Sequence, residues 1–184
     1  MSQGCNNVNV EPTVIGGGDG SNAYDAFGRL RVSNPLTIFD STNIMSKNNL
    51  FDEDLTGSGT VTYTANKSTV NLNVTTASGD KVIRQSKRVM SYQPGKSLLI
   101  LNTFVMNTQE ENLEQRVGAF DANNGIFFED YGTGYRIVRR TYVTGSAVDT
   151  DVNQTSWNGD KLDGTGASGY TLDPTKATIM FADY

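Results

Sequence analysis

The chain has 184 residues and a net charge of −5; 36% of its residues are hydrophobic and 19% are charged. An acidic chain does not favour nucleic-acid binding, which needs basic groups that displace counterions from phosphate. The sequence contains no histidine and one cysteine, Cys5. These counts exclude Ser-His-Asp and Cys-His catalysis, histidine-based zinc sites and an intrachain disulfide. No apolar run approaches the ~18 residues of a transmembrane helix, so we expect no membrane insertion.

Residues 1–40 are predicted to form an extended N-terminal anchoring arm. Its first part is rich in Gly and Asn and cannot bury enough apolar surface to offset its ordering entropy. Residues 24–40 mix aromatic, aliphatic and arginine side chains and suit docking on a partner, with the arginines pairing to acidic groups there. The partner-binding candidates are Tyr24, Phe27, Arg29, Leu30, Arg31 and Val32.

Residues 41–184 are predicted to form an all-β domain, a jelly-roll-like β-sandwich. Short stretches of alternating apolar and polar residues are separated by turns rich in Gly and Asn, a pattern typical of sandwiches. Residues 97–106 are the most apolar stretch and are predicted to be a central strand buried on both faces. A long surface loop is predicted at 152–176. The predicted strands are 60–64, 69–75, 81–92, 97–106, 115–120, 126–129, 135–143 and 177–184.

Two acidic groups have the residue types of an oxygen-ligand metal site. Asp52, Glu53 and Asp54 are consecutive, so they do not all face one point of a strand or loop, and the calcium-hand pattern is absent. Asp160 and Asp163 lie in a Gly-rich stretch that also suits tight turns. Solvated charges and turn residues are the favoured interpretation. We therefore expect no metal and no cofactor.

Other carboxylates raise the question of catalysis. Glu129 or Asp130, together with Asp121 or Asp149, has the residue types of a glycosidase pair. Such a pair needs two carboxyls facing one cleft, which the sequence does not establish. Any acidic domain contains similar residues, so we expect a protein that is not an enzyme.

Two basic clusters stand out in this acidic chain. They suit binding of acidic glycans, nucleic acid or acidic partner surfaces, but also cross-strand pairing with Asp and Glu on neighbouring strands. Cross-strand pairing is the favoured interpretation. The clusters are Lys81, Arg84, Lys87 and Arg88, and Arg136, Arg139 and Arg140.

Trp157 and Tyr170 lie in the predicted long loop and are the candidate glycan-binding residues. Aromatic rings in sandwich loops can stack on sugars. A lone tryptophan can instead close one end of the core. Closing of the core is the favoured interpretation, and sugar stacking is the alternative.

The sequence at 25–33, D-A-F-G-R-L-R-V-S, resembles a family of structural proteins encoded by tailed bacteriophages, many of them marine, and by some large DNA viruses. The similarity covers roughly residues 24–184, and its specificity comes from the spacing of several separate motifs. The further motifs are residues 92–97, 123–129, 138–141, Trp157 and 160–166.

The resemblance implies a non-enzymatic virion component, namely a tail fibre, a spike or a capsid-associated decoration, located in the virion and attached to tail or capsid subunits through its arm. It implies no catalytic residue. Members of the family continue past the strand near residue 180, so we expect the domain to continue in a longer protein or to complete its sheet with another subunit. A homo-oligomer is expected, most simply a trimer. The alternative is a lectin-like host-recognition domain of a viral fibre that binds a host-surface glycan.

Overall fold

The computed structural model describes residues 36–91 and 95–183. In this part of the chain there are ten β-strands, two 3-10 helices of one turn each and no α-helix. Every strand pairing is antiparallel. The prediction of an all-β fold is therefore confirmed, and its jelly-roll connectivity stays a prediction. The chain divides into two compact units with the boundary between Gly95 and Lys96. The predicted division into an arm and a domain stays a prediction.

The first unit contains two separate two-stranded antiparallel ladders. Strand β1 (Phe51–Thr56) pairs with β4 (Lys81–Ser86), and β2 (Thr60–Thr64) pairs with β3 (Thr69–Asn73). A 3-10 turn, Ala65–Lys67, connects β2 to β3. In the β2–β3 ladder, Val61 lies opposite Leu72 and Tyr63 opposite Val70, while threonines and asparagines occupy the other face. This is the alternation that the sequence predicted.

The second unit contains a two-stranded and a four-stranded sheet. The first consists of β5 (Leu99–Phe104) and β10 (Thr178–Asp183). The other four strands follow one another in both sequence and sheet order. They are β6 (Gln115–Phe120), β7 (Gly125–Asp130), β8 (Tyr135–Thr141) and β9 (Val148–Asn153).

Aromatic side chains on both faces of β7 form the core of the second unit. On one face, the ring of Phe128 lies 6.1 Å from that of Phe104 and 5.6 Å from that of Tyr135. On the other, Phe127 lies 4.4 Å from Phe120, measured between ring centroids. Burial of this kind excludes water and stabilises the sheet. It also raises the pKa of the Tyr135 phenol, with Asp130 adding to the effect.

The turn between β6 and β7 is one of the turns rich in Gly and Asn that the sequence predicts, whereas the turn between β8 and β9 begins inside the predicted strand 135–143. The Asn-Gly turn connects β6 to β7, and Asp121 accepts hydrogen bonds there from the amides of Asn123 and Asn124, each at 2.7 Å. Gly125, with a φ of +137°, begins β7. Only glycine fits here, since a Cβ would stand 2.3 Å from the carbonyl oxygen of Ala119.

Several features of the sequence prediction are wrong, and β3 and β8 each end two residues before their predicted limits of 75 and 143. Strand β5 is not central: among the described residues it pairs only with β10, and Leu101 is 65% exposed. Strand β4 ends at Ser86 rather than continuing to residue 92, because its partner β1 begins at Phe51 and the ladder ends there. Strands β1 and β9 were not predicted as strands, and the predicted loop at 152–176 begins only after β9.

Candidate functional site

Six charged side chains lie on one face of the four-stranded sheet, where they form a set of ion pairs that we call the charged ladder. Alternate residues of a strand share a face, and the antiparallel register places Arg116, Glu129 and Arg136 side by side across β6, β7 and β8. The same register places Arg140 opposite Asp149. The members of the charged ladder are Arg116, Glu129, Arg136, Arg140, Asp149 and Asp151.

Glu129 is the centre of the charged ladder. Its side chain is 1% exposed, and its carboxylate accepts a hydrogen bond from Arg116 Nε at 2.5 Å and another from Arg136 Nε. Each arginine has a further acidic partner, Glu114 for Arg116 at 2.5 Å and Asp151 for Arg136 at 3.9 Å. A buried carboxylate is tolerated when it is paired and hydrogen-bonded in this way.

Arg140 and Asp149 form the second part of the charged ladder. The pair is bidentate, with nitrogen-to-oxygen distances of 2.8 and 2.7 Å. The hydrogen bond from Arg140 holds the pKa of Asp149 below its usual range, against the opposing effect of partial burial. The guanidinium carbons of Arg116 and Arg140 lie 5.5 and 5.3 Å from the Phe127 ring centroid. The long arginine side chains thus cover an aromatic ring as well as pairing with carboxylates.

Asp130 lies on the opposite face of β7 from Glu129 and is fully buried. Its carboxylate accepts hydrogen bonds from Gln109 Nε2 at 3.1 Å, Gln115 Nε2 at 3.3 Å and the amide of Gly132 at 2.9 Å. Adjacent strand residues face opposite sides of a sheet, so Glu129 and Asp130 do not meet in one cleft. The structure brings neither together with Asp121, which holds the Asn-Gly turn.

Five of the seven residues in the two basic clusters pair with acidic groups across strands, as the favoured interpretation predicts, and Arg88 and Arg139 do not. In the first unit, Arg84 lies 3.6 Å from Glu53, Lys81 lies 3.9 Å from Asp54, and Lys87 lies 3.6 Å from Asp52. Arg88 donates to the carbonyl of Ile38 at 2.8 Å.

Arg136 and Arg140 belong to the charged ladder, while Arg139 lies on the other face of β8 and is exposed. Among the described residues, no group of three or more acidic or cysteine side chains is arranged to hold a metal ion.

Trp157 and Tyr170 lie in the segment between β9 and β10, and they do not form a ring pair there. The indole nitrogen of Trp157 donates to the carbonyl of Val152 at 3.1 Å, and the ring is half-buried. Tyr170 is 56% exposed. The loop is held by Asp160, which accepts hydrogen bonds from the amides of Leu162 at 2.8 Å and Ser168 at 2.7 Å. These bonds lower the pKa of Asp160.

An apolar surface lies on the outward face of the β5–β10 sheet, and the sequence analysis did not predict it. We call it the apolar face. Leu101 lies opposite Phe181 in the ladder. Ile179 lies two residues before Phe181, on the same face of β10. Their exposures are 65%, 66% and 71%, and Val105, just past β5, is 60% exposed. The available signal is the run of apolar residues at successive positions of 97–106, which predicts burial on both faces rather than one exposed face.

The arm residues proposed as partner anchors, Tyr24 to Val32, lie outside the described residues. No family model matches the chain, and searches of curated proteins and solved structures found no match. Within 36–91 and 95–183, no helix is long and apolar enough to cross a membrane.

Proposed function

We propose that this chain is a non-enzymatic structural protein of a virion, such as a tail fibre, a spike or a capsid decoration. In this proposal residues 1–40 attach it to tail or capsid subunits, and the β-rich remainder assembles with further copies, most simply as a trimer. The motif resemblance that begins at 25–33 supports the virion assignment.

The apolar face is the observation that carries the assembly part of the proposal. Leu101, Ile179 and Phe181 project from the same face of a two-stranded sheet, where Thr103 lies opposite Ile179 and Asp183 lies at the end of the face. Contiguous exposed apolar patches on proteins commonly mark interaction surfaces. The contrast with the charged ladder supports this view, because there the same unit buries its aromatic rings under arginine side chains.

The positions of the carboxylates favour a structural role over catalysis. A general acid or base must be free to exchange a proton with substrate. Glu129 is instead held between two arginines, and Asp149 is held by Arg140. Asp163, on the loop with Trp157, accepts hydrogen bonds from the hydroxyl and amide of Thr165.

The assembly proposal is tested by measuring the solution mass by light scattering. We expect three times the chain mass of 20.0 kDa for the natural sequence. The double variant Leu101→Ser, Phe181→Ser should lower the mass while leaving the circular dichroism spectrum unchanged, because both side chains are exposed. Val143→Ser is the matched control, since Val143 is 90% exposed but lies outside the apolar face. A monomeric natural chain would contradict assembly in solution.

The attachment proposal is tested in the full chain on the predicted arm anchors. Phe27→Ala combined with Arg29→Ala and Arg31→Ala should prevent incorporation into virus particles without altering the solution mass or the spectrum. Mass spectrometry of purified particles gives the readout. Normal incorporation of the triple variant would contradict the role proposed for the arm.

The second candidate function is lectin-like glycan binding through Trp157 and Tyr170. The exposure of Tyr170 favours it, because an exposed aromatic ring on a backbone held by a hydrogen bond to Ser168 suits stacking on a sugar. Glycan-array binding should then fall with Tyr170→Ala at unchanged stability. Loss of binding in Trp157→Ala is harder to interpret, because this substitution removes the hydrogen bond to Val152 as well as the ring. Binding unaffected by Tyr170→Ala would contradict this candidate.

A further inference from the structure

The chain contains the dipeptide Asn-Gly twice, at Asn124–Gly125 and Asn158–Gly159. An Asn-Gly bond is chemically vulnerable, since glycine has no side chain to hinder its backbone nitrogen from reaching the asparagine side-chain carbonyl. Whether the reaction occurs depends on how freely the two residues can rotate. The two sites differ sharply in this respect.

The first site is restrained. The amide of Asn124 donates to Asp121 Oδ1 at 2.7 Å, and its backbone carbonyl accepts from the amide of Asp121 at 2.8 Å. Its side-chain oxygen accepts from the amide of Tyr142 at 3.2 Å. Gly125 is paired on both sides, with Phe120 and with Arg140. Reaction at this site requires the turn to open.

The second site is unrestrained. Asn158 and Gly159 are both exposed and occupy a bend. No hydrogen bond to either residue is found in the described part of the chain. No heavy atom lies within 4 Å of where a Cβ on Gly159 would stand. The residues on either side are held, Trp157 by its bond to Val152 and Asp160 by two backbone amides.

We propose that Asn158 is a site of spontaneous deamidation. The backbone nitrogen of Gly159 attacks Cγ of Asn158, a C–N bond forms, the bond to the side-chain amide nitrogen breaks, and ammonia leaves with the proton from Gly159. Water then opens the resulting succinimide at either carbonyl, which gives aspartate or isoaspartate. The modified loop gains one negative charge beside Trp157, and the isoaspartate product lengthens the backbone there.

The test is peptide mapping by mass spectrometry after the full-length protein has been aged at mildly alkaline pH in water enriched in oxygen-18. The Asn158 peptide should gain a carboxylate carrying one heavy oxygen and should separate into two isomeric products. Asn124 should react roughly tenfold more slowly, because its turn must open first. Equal rates at the two sites in the folded protein would overturn the proposal.

Two controls make the result specific. Gly159→Ala fits the open space around this residue and should leave the fold intact while it slows the reaction, since the added methyl group hinders attack. In concentrated urea the two natural sites should react at similar rates, because the structural protection of Asn124 is then lost. An unchanged Asn158 rate in Gly159→Ala, or a rate difference that persists in urea, would overturn the mechanism.

Discussion

The β1–β4 ladder and the four-stranded sheet both contain cross-strand ion pairs, but the side chains of these pairs differ in burial. Both place arginine or lysine on one strand opposite aspartate or glutamate on the next. In β1–β4 the outer pairs, Lys81 with Asp54 and Lys87 with Asp52, have all four side chains more than half exposed. In the charged ladder, Glu129 is 1% exposed. The ion pairs at the ends of the β1–β4 ladder therefore lie in solvent, whereas its central pair, Arg84 with Glu53, and the charged ladder around Glu129 are largely removed from water.

The difference shows that burial, and not the charge pattern, decides how much an ion pair contributes. Exposed pairs are screened and lose side-chain entropy, so they contribute about 0–1 kcal/mol each. Removing one partner of a buried pair leaves uncompensated charge in a medium of low dielectric constant, which costs about 3–5 kcal/mol. Substitutions at buried and at exposed ion pairs should therefore differ in their effect on stability.

The largest effect is expected for Glu129→Gln. The substitution keeps the shape of the side chain but leaves Arg116 and Arg136 without their shared carboxylate. We expect the free energy of unfolding of the second unit to fall by about 3 kcal/mol, because two charge-assisted hydrogen bonds of about 1.5 kcal/mol each are lost. Urea unfolding followed by the fluorescence of Trp157, the one tryptophan, reports on this unit. A loss below about 1 kcal/mol is the size expected for an exposed ion pair and would contradict this prediction.

A glycine substitution near the charged ladder tests the contribution of backbone geometry, because it changes no charge. Gly125→Ala should destabilise the second unit by about 2–3 kcal/mol, because the added Cβ meets the Ala119 carbonyl and the positive φ is unfavourable. Gly145→Ala is the matched control: its φ is +83° but the space around it is open, so about 1 kcal/mol is expected. Equal losses would mean that strain alone, without the clash, explains the result.

The next largest effect is a change in folding stability with pH. The pKa of Asp149 is lowered in the folded chain from its ordinary value of 3.8, so the Arg140 pair stabilises the fold above that value and ceases to do so as pH falls through the folded pKa. Asp149 is partly exposed, so we expect Asp149→Asn to cost about 1 kcal/mol or less at neutral pH. The stability difference between the two proteins should vanish in strong acid. A difference that is unchanged in acid would contradict this assignment.

Much of the strand pattern could be predicted from the sequence, because alternation and Asn-Gly turns are local signals. Strands β2 and β6 have the predicted limits. Strands β1 and β9 were not predicted, since their sequences FDEDLT and VDTDVN are mostly polar and resemble loops. What identifies them is the complementary charge on β4 and β8, and that requires knowledge of which strands pair.

The candidate site was less predictable for the same reason. From the sequence alone, Glu129 is a catalytic candidate and the arginines of β8 are a basic cluster, and nothing connects the two. Only the register shows that they neutralise one another. The exposure of the apolar face could not be predicted either. Residues 97–106 are apolar at successive positions, and such a run does not show whether one face or both faces of the strand are buried.

The smallest effect, and the clearest test of the contrast, is expected for Asp54→Asn. Its carboxylate lies 3.9 Å from Lys81 Nζ with both side chains more than half exposed, so the loss should be about 0–0.5 kcal/mol. Raising the salt concentration to about 1 M shortens the screening length to about 3 Å and should abolish even this loss. The penalty of Glu129→Gln should persist in the same salt, since water and ions do not reach a buried carboxylate. If salt removed both penalties equally, Glu129 would be accessible to ions and the proposed contrast between the two ladders would be wrong.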